Sequence, residues 1–61
     1  MPKITFKELL IIEELLNVEQ TFINKYAKYA SICKDPQIKA KCEYLCAKHK
    51  NHYNSFIDCM E

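Results

Sequence analysis

Glu19, His49 and His52 are the residues of this chain whose type and spacing point to chemistry. Each is polar at a position where the surrounding apolar periodicity calls for core. His49 and His52 lie one helical turn apart, so on a helix both imidazoles share a face and reach the same cation. Two imidazole nitrogens and a carboxylate oxygen form a donor set that suits zinc, iron or manganese. The same residues have a plainer reading. A carboxylate facing two histidines satisfies its own polar groups and fixes the register of the helices that carry it, with no ion involved. Either way, Glu19 has to be delivered opposite the histidines by a separate element.

The remaining reactive side chains give weaker signals. Cys42 and Cys46 are four residues apart and, with His49, could make a Cys, Cys, His face of zinc-ligand spacing, although Cys42 is expected in the helix seam and Cys46 to one side of it. Cys33 and Cys42 flank the central turn and could approach for a disulfide. The plainest expectation is that all four cysteines, Cys33, Cys42, Cys46 and Cys59, are reduced thiols packed as small hydrophobes. Tyr26 falls on the same stripe as Glu19, where its hydroxyl could reach the polar cluster; Tyr29, Tyr44 and Tyr53 read as the rim of a core. No Ser/His/Asp or Cys/His nucleophile arrangement is present, and a chain without glycine cannot build a glycine-rich phosphate loop. A non-enzymatic structural protein is the first expectation, and a metal-binding or metal-dependent redox protein using Glu19, His49 and His52 is the alternative.

Two helices must position these groups, and the sequence marks both. Thr5 and Glu8 have the spacing of a capping box, with Ile4 and Leu9 placed as its hydrophobic staple, so helix 1 is expected from about 5 to 34. Its apolar stripe runs Leu9, Ile12, Leu16, Glu19, Ile23, Tyr26, Ala30, Cys33. Asp35 can cap the next helix and Pro36 can open it, which places the turn at 34–36 and helix 2 at about 36–60. Helix 2 carries the stripe Ile38, Cys42, Leu45, His49, His52, Phe56, Cys59. So short a turn makes the helices antiparallel, pairing residues whose numbers sum to about 71. Glu19 then falls opposite His52, with His49 one turn away beside Ile23.

Each helix has a second apolar stripe, one residue on from the first and rotated by roughly 100°. It reads Ile11, Leu15, Val18, Phe22, Lys25, Tyr29, Ile32 on helix 1 and Cys46, Lys50, Tyr53, Ile57, Met60 on helix 2. A hairpin buries one stripe per helix, whereas a four-helix bundle uses two. The expected architecture is therefore an all-α, single-domain antiparallel hairpin over residues 1–61 that dimerises into a four-helix bundle. In such a homodimer, two sets of Glu19, His49 and His52 would approach the centre and could hold one or two divalent ions.

Size argues the same way, because a chain of 61 residues hides too little surface to be comfortably stable alone. The formal net charge is +1, with acidic and basic residues reading as mixed along the chain, so neither nucleic acid nor an anionic membrane is an expected partner. Glu8, Glu13 and Glu14 interrupt the apolar N-terminal run, which argues against a signal peptide or membrane span and for a cytoplasmic protein.

From about Glu8 to Phe56, including EELLNVEQTFINKYAKYASICKDPQIKAKCEYLCAKHKNHYNSF, the chain resembles the short spore coat F-like proteins of spore-forming Firmicutes. The resemblance rests on Glu19, the KYAKYA segment with Tyr26 and Tyr29, the CKDPQIK turn and His49-x-x-His52. It implies a ferritin-like helical hairpin that dimerises, is made in the mother cell during sporulation, and joins other proteins of the spore coat as a structural or assembly component. Larger ferritin-like proteins place Glu on one helix and Glu-x-x-His on the next. Glu19 and His52 match that pattern, but His49 stands where the second Glu would be, which argues against di-iron oxidase chemistry and for a softer or single ion.

Overall fold

The computed structural model describes residues 4–60; the first three residues and the last one of the expected 1–61 domain lie outside the described part. Two α-helices, α1 (Phe6–Ile32) and α2 (Pro36–Asp58), pack against each other as a hairpin, and no strand occurs among the described residues.

Helix α1 starts where its cap directs. The Thr5 hydroxyl oxygen accepts the Glu8 N–H at 3.1 Å, and the Glu8 carboxylate accepts the Thr5 N–H at 3.1 Å and its hydroxyl at 2.9 Å. The backbone N–H of Thr5, and after it the Thr5 hydroxyl, hold the Glu8 carboxyl below its ordinary value. A lowered carboxyl pKa contributes stability that is present above the unfolded value and is lost as pH falls through the folded one. The start of α1 should accordingly fray on acidification, and Thr5→Ala should return Glu8 to ordinary titration, both readable from the Thr5 amide and Glu8 carboxyl resonances. Normal titration of Glu8 in the parent would remove the cap's role.

α1 ends two residues before the expected position. Without glycine the chain has no ready left-handed C-terminal cap, and no described residue has positive φ. Cys33 leaves the helix in extended geometry instead, at φ −75° and ψ 131°, while its N–H still reaches the Tyr29 carbonyl at 2.9 Å. Asp35 is also extended, because the Pro36 ring disfavours helical geometry in the residue before it. Its carboxylate accepts the N–H groups of Gln37 at 2.8 Å and Ile38 at 3.2 Å, which starts α2. At the far end α2 gives way after Asp58 to a tighter turn, with the Met60 N–H on the Ile57 carbonyl at 3.0 Å, short of the expected residue 60.

The hairpin contact on α1 is the expected stripe: Leu9, Ile12, Leu16, Glu19, Ile23, Tyr26, Ala30 and Cys33 are all buried or half-buried. On α2 the expectation needs correction. Ile38 is 56% exposed and His52 and Cys59 also face out, whereas Cys46, Tyr53, Ile57 and Met60, assigned to the outer stripe, turn inward. A strict seven-residue repeat lags a straight helix by about 20° per heptad, so along α2 the contact passes from His52 to Tyr53 and from Cys59 to Met60.

The core this makes is thin. Ala30, Cys42 and Cys46, 8–9% exposed, are its only buried apolar side chains among the described residues, and none there is completely enclosed. The charges, expected to be mixed, are segregated once the chain folds back: seven of the nine basic residues lie between 25 and 50, at the turn half, where Asp35 and Glu43 are the only acids. Among the described residues the open half carries Glu8, Glu13, Glu14, Glu19 and Asp58 against the single base Lys7. No described helix is long and apolar enough to cross a membrane.

Candidate metal centre

The hairpin brings Glu19, His49 and His52 together near mid-length. Glu19 is 7% exposed, the one buried charged residue among those described. Its Oε1 lies 2.6 Å from His49 Nδ1, and its Oε2 lies 3.3 Å from His52 Nδ1. The sequence register placed His52 opposite Glu19; the nearer partner is His49, because the rotated face of α2 points His49 inward and leaves the His52 side chain 46% exposed. Since a carboxylate only accepts, each Nδ1–H donates to Glu19.

An aromatic wall fixes the inner histidine. Phe22 stacks on His49 with ring centroids 4.7 Å apart and planes 16° from parallel, and Tyr26 adds a second parallel ring at 5.8 Å. Tyr26 therefore meets the cluster through its ring, not through the hydroxyl the stripe suggested; both hydrogen-bond partners of Glu19 among the described residues are histidines. The His52 ring stands perpendicular to that of His49, at 89° and 5.6 Å. Lys25 holds its ammonium about 6 Å from the rings of Phe22, Tyr26 and Tyr29, a cation at the outer edge of the wall. Phe22 was the residue missed in the sequence: its outer-stripe position concealed a contact with the inner histidine.

The donor atoms of the three residues all lie within 4.8 Å of one another. An ion bound tetrahedrally at about 2.1 Å wants its ligands roughly 3.4 Å apart, close to the 3.3 Å between Glu19 and His52 and wider than the 2.6 Å between Glu19 and His49, which would have to open. Ligation through Nδ1 needs the tautomer protonated at Nε2. A set of two imidazoles and one carboxylate leaves coordination positions for water or another ligand.

The cysteines take no part in this cluster. All four are free; Cys42 and Cys46 are buried, and the Cys46 thiol donates to the Ile23 carbonyl at 3.6 Å. Cys33 likewise points its thiol at the Asp35 carbonyl, 3.5 Å away. Glu19, His49 and His52 are the only group of three or more metal-type ligands among the described residues.

Comparison with protein-family models, with curated proteins and with solved structures returned no match to this chain. The resemblance to spore coat F-like proteins thus rests on the residues quoted above alone.

Proposed function

We propose that this protein is a small helical-bundle component that works as a homodimer and binds one divalent transition metal ion per hairpin through Glu19, His49 and His52. The observation that carries the reading is the convergence of both Nδ1 atoms on a carboxylate that is 7% exposed. Burying an ionised carboxylate in so thin a core gains little for stability, so its place there calls for a functional reason. Two nitrogens and one oxygen favour zinc, iron(II) or manganese(II), and open coordination positions would let the ion accept a further ligand. The role proposed for it is to brace the two helices against each other.

A second reading drops the ion. Every buried side-chain nitrogen and oxygen among the described residues already has a hydrogen-bond partner, so the cluster can serve as a polar register pin in a purely structural protein. Under both readings the exposed apolar faces suit assembly, and the resemblance to spore coat F-like proteins supports a structural part in the spore coat, after synthesis in the mother-cell cytoplasm. No catalytic step is proposed.

Elemental analysis and calorimetric titration with zinc separate the two. The metal reading expects uptake near one equivalent per chain, lost in His49→Ala/His52→Ala, with the melting temperature of the parent rising on metal addition. Parent protein that takes up no zinc, iron or manganese leaves the register pin.

A further inference from the structure

We infer that the second copy lies antiparallel along α1, with Phe22 close to the two-fold axis and the acidic half of each hairpin beside the basic half of its partner. This deepens the homodimer proposed above and rests on that reading. It narrows the pairing to one helix, one direction and one register.

The helix follows from the exposures. Ile11, Leu15, Val18, Tyr29 and Ile32 of α1 are between 38% and 64% exposed and share one side of the helix as a band. The matching band expected on α2 is largely used up: Cys46 is buried and Tyr53, Ile57 and Met60 are half-buried within the hairpin. The large apolar side chains α2 still exposes, Ile38 at 56% and Tyr44 at 65%, point to different sides of the helix, so the continuous face left for a partner is that of α1, and a core with no enclosed side chain gives the hairpin a strong reason to cover it. A second copy has a face of the same kind by symmetry, and the two-fold contact is self-complementary.

The direction follows from charge. A parallel pair would set the acidic open half against its own copy and the lysine-rich turn half against its own copy, while an antiparallel pair sets each beside its opposite. Glu14 and Lys28 make this concrete. Both are exposed and flank the same edge of the apolar band. In an antiparallel pair related by a two-fold axis across the helices, that edge faces the same side from both copies, so Glu14 of one comes beside Lys28 of the other.

The register follows from the band's own midpoint. Matching Ile11 to Ile32 across the pair centres the contact near residue 22, which puts Phe22 at the axis. Phe22 also stacks on His49 at 4.7 Å. The partner thus covers the outer side of the wall that holds the inner histidine, and the two metal centres lie on either side of a shared aromatic layer.

The test is a charge exchange in chelator-treated protein, which keeps it independent of metal binding. Glu14→Lys and Lys28→Glu are measured alone and as an equimolar mixture by sedimentation equilibrium, with circular dichroism confirming that each stays helical. In the antiparallel pair each variant alone replaces two attractions by two repulsions and should dimerise several-fold, roughly 3- to 10-fold, more weakly than the parent. Their mixture should recover parental affinity, and parental affinity should fall with added salt. A parallel pair gives another pattern: single variants as tight as the parent, and a mixture tighter than it. That result overturns the inference while leaving the homodimer and the metal centre standing. A parent that stays monomeric up to millimolar concentration overturns the inference and the homodimer together.

Discussion

Replacing His49 with leucine should cost the metal-free protein roughly 3 kcal/mol, while replacing Glu19 with leucine should leave it within about 1 kcal/mol of the parent. The difference arises from what each change strands. Without His49, a carboxylate 7% exposed loses its partner at 2.6 Å and keeps only the weaker contact to His52. A buried charge left without compensation is among the costliest defects a core can hold. Without Glu19, the histidines keep an exit: their side chains are 18% and 46% exposed, so neutral imidazoles can turn to water while leucine fills the space between them. Both variants should lose zinc binding. Denaturant unfolding at one fixed protein concentration, in chelator, gives the comparison, and equal losses for the two would mean that Glu19 is not held as a buried carboxylate. The pair also separates stability from function, because Glu19→Leu should keep the fold and lose the ion.

Val18→Asp should abolish pairing and, with it, most of the helix content at micromolar concentration. In a single hairpin Val18 is 47% exposed, and a change there would ordinarily shift stability by no more than about 0.5 kcal/mol. In the proposed dimer the same position lies within the band between Leu15 and Phe22, where an unpaired carboxylate appears twice by symmetry and costs several kcal/mol. A hairpin with no enclosed side chain has little reserve to absorb that loss. Circular dichroism and sedimentation over a concentration series read both effects. Unchanged unfolding in Val18→Asp would mean that α1 presents this face to solvent. The parent, for its part, should melt at temperatures that rise with protein concentration, as expected when folding and association are one equilibrium.

Much of this molecule is legible in the order of its residues, for local reasons. Thr5 with Glu8 and Asp35 with Pro36 act within a few residues of themselves, so both helix starts follow from short-range stereochemistry. The inner stripe of α1 is equally plain, since its spacing coincides with the face that packs. The three residues of the candidate centre stand out because they are polar among apolar neighbours, and the fold does bring them together. The helix ends are less legible, because they depend on how a chain without glycine leaves a helix, which took Cys33 into extended geometry at ψ 131°.

By itself, then, the sequence determined the two helices, their antiparallel return and the identity of the polar cluster, all consequences of short-range capping, the helical period and a turn too brief for any other path. Tertiary structure decided the rest: which side of α2 packs, that His49 and not His52 is the close partner of Glu19, and that Phe22 backs the inner imidazole. Each of these depends on how far one helix is rotated and slid against the other. A shift of a few tens of degrees exchanges neighbouring residues on a helix face while leaving every local pattern in the chain unchanged.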